Sequence, residues 1–181
     1  MDTKTLVRIF AGCARREICR HFLPNSCVAS TAITLDVMRH YGRHGRAWEV
    51  CLQVLRPPFH LEVGCHPSDS PDTIGGHLVS LVDGFLIDAS FGQIGDANPA
   101  VEVPSVFVGE LLPQGAPFRD AYQFHTPFGE LQYDSRPMSK DYRLSPDWGP
   151  SAERDAVRTA IITQIEGYCH LNGLESPSDA T

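Results

Sequence analysis

The chain has 181 residues, enough to bury the core of one domain and too few for two comfortable ones. Hydrophobic residues make up 42% and charged residues 20%, a balance that excludes wholesale disorder. A formal net charge of -7 speaks against a nucleic-acid surface, which needs clustered Lys and Arg, and no run approaches the ~18 apolar residues of a membrane helix.

Residues Thr3 to His21 are predicted as an amphipathic helix, with Leu6, Ile9, Phe10 and Cys13 at three- and four-residue spacing, ending at Leu23 before Pro24. A second helix should begin at once, capped by Asn25 or Ser26. Val28, Thr31, Leu35 and Met38 fall along one face of it, and Gly42 closes it. From Arg46 the pattern becomes that of a strand, in which Trp48, Val50, Leu52 and Val54 alternate until Pro57 and Pro58; Phe59 to Gly64 is a second short strand. Cys65 to Gly76, rich in Pro, Ser, Asp and Gly, reads as a surface loop that delivers the chain to His77.

His77 to Val82 and Phe85 to Phe91 flank Asp83-Gly84, a strong tight-hairpin signal. Val79, Leu81 and Leu86 share one face, and Leu78, Val82, Phe85 and Ile87 the other, so both faces should be covered. Residues 99 to 150 hold eight of the fourteen prolines, which predicts short edge strands, at Val101 to Val108 and Glu130 to Tyr133, among long loops. A last helix should run from Ser151 to Leu171, burying Ala156, Val157, Ala160, Ile161, Ile165 and Tyr168 before Gly173 stops it. The expected organisation is a single domain over 1–181: an N-terminal helix at 1–23, a central unit at 24–92, Pro-rich strands and loops at 93–150, and the closing helix at 151–173. The fold class is α+β, an antiparallel sheet packed against helices.

Residues 1–46 carry a net charge of +5 and the rest -12, so the basic segment should either pack on an acidic body or face an anionic partner. With no secretory signal evident, the six cysteines are expected as reduced thiols in the cytoplasm. No Cys or His pair has the spacing of a zinc knuckle, so no metal is expected.

Cys27 falls at the start of the second helix, where free N–H groups and the positive end of the dipole favour a thiolate. If Asp83-Gly84 is a two-residue turn, Val82 pairs with Phe85, and His77 and Asp88 become diagonal neighbours on one face, roughly 7–8 Å apart at the backbone. Asp88 could then fix the imidazole tautomer and leave the other ring nitrogen to a sulfur. The bland alternatives are an inert buried cysteine, a histidine bonded to a loop, and a carboxylate capping nearby N–H groups. For an oxyanion, the N–H of Cys27 or Val28 is the natural donor, with the Asn25 side chain, which could equally be only a cap, as another.

The order of cysteine at a helix start, histidine opening a strand and aspartate on the next strand resembles the transglutaminase-like and papain-like cysteine superfamily. The stretch from Gly76-His77 to Asp88-Ala89-Ser90-Phe91-Gly92 is also similar to the His-to-Asp segment of arylamine N-acetyltransferases. The resemblance covers about residues 24–92. It implies a papain-like or transglutaminase-like core with the nucleophile at a helix N-terminus, and a Cys27-His77-Asp88 triad that carries an acyl group as a thioester. The lead-in Leu-Pro-Asn-Ser-Cys departs from the Arg-Gly-Gly of the acetyltransferases, and the chain is shorter. The expected function is therefore amide or peptide hydrolysis or transamidation on a peptide, amide or small acyl substrate, without cofactor, membrane or nucleic acid. Acetyl transfer from a coenzyme A thioester and a non-catalytic binding module are the alternatives.

Overall fold

The computed structural model describes residues 1–22, 26–66, 75–97, 102–111 and 120–175. Helix α1 (Thr3–His21) starts where the Asp2 side chain accepts from the Thr5 N–H, and its interior face buries Leu6, Phe10, Ala14 and Ile18. Its expected end at Leu23 and Pro24 lies outside the described residues. Helix α2 (Cys27–His40) is buried on nearly every side rather than along the one stripe expected, because it runs between the other helices and the sheet.

Seven strands form one antiparallel sheet: β1 (Gly45–Arg56), β2 (Phe59–Val63), β3 (His77–Val82), β4 (Phe85–Asp88), β5 (Phe107–Glu110), β6 (Ala121–Thr126) and β7 (Gly129–Ser135). The order is β5-β4-β3-β1-β7-β6, and β2 shares the β3 edge of β1. The first half of β1 pairs with β3 and its second half with β2, while the opposite edge pairs with β7. The sheet is nearly closed into a barrel: the outer strands β5 and β6 meet through Phe107 and Phe124, ring centroids 5.1 Å apart.

The hairpin matches its expected register, with Val82 opposite Phe85 and Asp83 and Gly84 both at positive φ (42° and 87°), the conformation a two-residue turn of this hand demands. Val79, Leu81 and Leu86 point into the barrel core, whereas Val82 and Ile87 join the helix-side core with α1, α2 and α4 (Ala152–Leu171). The second strand ends at Asp88 rather than Phe91, since Ala89 to Gly92 turns into the short helix α3 (Gln93–Ala97).

The Pro-rich region departs further from expectation. Glu130 to Tyr133 belongs to β7, an inner strand held between β1 and β6, and β6 itself was not anticipated. The Val101 to Val108 piece contributes a strand only from Phe107, and Val101 lies outside the described residues. In α4 the buried stripe is Val157, Ile161, Ile165 and Cys169, with Tyr168 half-exposed and Ala156 exposed. A strict four-residue repeat selects Cys169 rather than its neighbour.

Most of the basic N-terminal segment pairs within the chain. Lys4 meets Glu110 and Arg15 meets Asp96, while Arg16 and Arg20 flank the buried Glu17, which also accepts from Gln164 on α4. The expectation of six reduced thiols is corrected at one pair: Cys51 on β1 and Cys65 after β2 form a disulfide, both nearly fully buried. That bond removes the ground for assigning a cytoplasmic compartment. No helix among the described residues is long and apolar enough to cross a membrane.

Candidate active site

Two hydrogen bonds at Thr31 place the N-terminal part of α2 against the hairpin. Thr31 Oγ1 donates to the Leu78 carbonyl at 2.9 Å, and Ser80 Oγ reaches the Thr31 carbonyl at 3.5 Å. Cys27 lies four residues before Thr31, one turn along the same helix face, which sets it beside His77, the residue before Leu78. Gly76 brings the chain to that point with φ 136°, and a Cβ there would sit 2.6 Å from Met138 Cγ.

His77 is buried. Its Nε2 donates to Asp88 Oδ2 at 2.7 Å, and the Cys27 side chain lies near enough to interact with the ring. Burial on its own pulls the imidazolium down, but the charge and hydrogen bond of Asp88, helped by Cys27, outweigh it, and His77 is held above the usual histidine range. A protonated, positively charged ring is thus favoured next to the thiol.

Asp88, fully buried, is held by four donors. His77 and the Tyr133 hydroxyl (3.2 Å) share Oδ2, while the N–H (3.1 Å) and Oγ (3.0 Å) of Ser90 occupy Oδ1. A buried carboxylate is tolerable only with such partners. Burial, and then the neighbouring Asp88 charge, push the Tyr133 hydroxyl well above its usual value, so it stays neutral and donates. Tyr133 comes from β7, opposite Leu52, and reaches Asp88 through the barrel interior with its ring stacked on Phe107, 5.9 Å between centroids.

At the mouth of α2, Ser26 is the N-cap residue, yet its side chain makes no capping bond; its Oγ donates instead to Asp147 Oδ2 at 2.8 Å. The first bond α2 closes runs from the Ser30 N–H to the Ser26 carbonyl, so the N–H groups of Cys27 and Val28 precede the ladder. Asn25 lies outside the described residues. Among the described residues no group of three or more His, Cys, Asp or Glu is placed to hold a metal.

His77 and Asp88 are therefore brought together as the hairpin register requires, and the start of α2 sets Cys27 beside them. Tyr133, Asp147 and the residues covering Cys27 escaped the sequence reading, because each arrives from far along the chain with no local signature. Comparison of the chain with protein-family models, with curated proteins and with solved structures finds no match.

Proposed function

We propose that this protein is a thiol enzyme that carries an acyl group on Cys27 as a thioester. The observation that carries the reading is the buried His77–Asp88 hydrogen bond beside Cys27, the first residue of α2. Asp88 fixes the orientation of His77 and stabilises its imidazolium form, so the ring holds the proton given up by the thiol and pairs with the thiolate. The thiolate attacks a carbonyl carbon, and the oxyanion is received by the N–H groups of Cys27 and Val28, with the Asn25 side chain a further donor from sequence. The tetrahedral species collapses by breaking the bond to the leaving amine or alcohol, which receives the proton from His77. Water or an amine, deprotonated by His77, then attacks the thioester and frees Cys27.

The substrate class is a peptide, amide or small acyl compound, and the chemistry is hydrolysis or transamidation on a transglutaminase-like or papain-like core, needing no cofactor. Acetyl transfer like that of the arylamine N-acetyltransferases uses the same residues with a different donor.

The reading is tested with p-nitrophenyl acetate. A burst of one equivalent of p-nitrophenol is expected, with an acetyl group on the Cys27 peptide and neither in Cys27→Ser. Absence of any burst, or acetylation spread over Cys13, Cys19 and Cys169, would make the protein a binding module on this fold.

A further inference from the structure

Cys27 is only 8% exposed, and one segment supplies three of the side chains in the apolar cluster around it. After β7 the chain crosses the start of α2. Met138 packs with Cys27, Val28 and Leu78, and Tyr142 and Trp148 close over that cluster, edge to face with ring centroids 4.7 Å apart. The Arg143 guanidinium lies over the Tyr142 ring, 5.5 Å from its centroid.

The cover is tied to the rest of the domain at its two ends, and the bonds between them are local. At one end the Met138 N–H donates to Glu49 at 2.7 Å, and the Ser139 N–H to the Gly75 carbonyl at 2.7 Å. At the other, Arg154 donates to the Trp148 and Gly149 carbonyls, and Ser26 holds Asp147. Between them lies one turn of 3-10 helix, Tyr142–Leu144, with Leu144 82% exposed. A single such turn has little stability of its own.

With Cys27 8% exposed, a carbonyl substrate gains room at the sulfur when this cover shifts. When Tyr142 and Trp148 shift, apolar surface on both sides is left without a partner unless the incoming molecule supplies one. On the footing of the thiol chemistry proposed above, we infer that Tyr142 and Trp148 are specificity-determining residues. They select carbonyl substrates that bear an apolar, ring-sized group beside the reacting carbon, and the Ser26–Asp147 hydrogen bond is the latch that opens to admit them.

The test uses the full chain and two alkylating reagents, chloroacetamide and N-benzylchloroacetamide, with glutathione as the reference for intrinsic reactivity. In each case the sulfur–carbon bond forms as chloride leaves, and labelling of the Cys27 peptide is timed by mass spectrometry. After correction by the glutathione rates, the benzyl reagent is expected to label Cys27 faster by on the order of tenfold or more. Trp148→Ala and Tyr142→Ala should each bring that ratio toward one. Ser26→Ala and Asp147→Asn should raise both rates while keeping the ratio, with no further gain in the double variant. Equal corrected rates in the wild type, or a ratio unchanged in both aromatic variants, overturns the inference. The ratio is also measured at pH 10, where a thiolate forms without help from His77. A ring preference there with a thiol sluggish at pH 7 would sink the enzyme reading and leave the cover's selectivity standing.

Discussion

Tyr133 and His77, carried by strands on opposite edges of β1, donate to the same oxygen of Asp88, at 3.2 and 2.7 Å. With Ser90 on the other oxygen, the carboxylate can neither rotate nor swing out, and the imidazole edge it holds is fixed in turn.

Replacing Asp88 with Asn keeps the shape but presents an amide where His77 needs an acceptor. Reactivity of Cys27 is expected to fall by orders of magnitude, on the scale of the ~10⁴-fold loss known for a serine-protease triad. Stability should drop by about 1–3 kcal/mol as charge-assisted bonds are lost, with the fold retained. Alkylation kinetics and denaturant unfolding measure the two effects separately; a stability loss with unchanged Cys27 kinetics would reduce Asp88 to a structural acid.

Tyr133→Phe removes one donor of four and keeps the ring stacked on Phe107. A loss of about 1 kcal/mol is expected in urea unfolding, with Cys27 reactivity falling far less than in Asp88→Asn. Equal losses in the two variants would mean that Tyr133, rather than Asp88, sets the orientation of His77.

His77 gives stability a signature in pH. Its folded-state value is raised to about 10, whereas an unfolded histidine titrates near ~6.5, so between these limits the native state binds the extra proton. The stabilisation is complete below the unfolded value and is lost as pH rises through the folded one, with a slope of up to about 1.4 kcal/mol per pH unit. Unfolding free energies across this window should fall with pH in the wild type and lack that component in His77→Gln. A flat difference between the two proteins would show that His77 is buried neutral.

The disulfide closes a loop with a sequence separation of 14, for which restriction of the unfolded chain corresponds to about 3 kcal/mol. Cys51→Ser/Cys65→Ser, or full reduction, should lower the melting temperature accordingly. An unchanged melting temperature would mean the bond contributes nothing to the fold.

What could be read beforehand was local. Asp83-Gly84 defines its hairpin within a few residues, which brings His77 and Asp88 to one face before any tertiary contact is known. The start of α2 is marked in the same way by Cys27 and the apolar residues after it. The contacts that complete the site span long separations: Tyr133 is 45 residues from Asp88, and Ser26 is 121 from Asp147. Strand β6 did carry a signal, the alternation of Tyr122 and Phe124, masked by the surrounding prolines and glycines. Pairing of Cys51 with Cys65 is a property of the β1–β2 hairpin in space, and cysteine counting alone could not select it.

The most direct measurement is the rate at which each free cysteine, Cys13, Cys19, Cys27 and Cys169, reacts with N-benzyliodoacetamide at pH 7, followed peptide by peptide. Exposure alone would rank the exposed Cys19 first, and burial raises the Cys13 thiol to about 11, so Cys13 should be slow. If His77 and Asp88 activate Cys27, that nearly buried thiol should nevertheless react fastest, and its lead should vanish in Asp88→Asn. Cys19 reacting first, with Cys27 indifferent to Asp88→Asn, would contradict the triad.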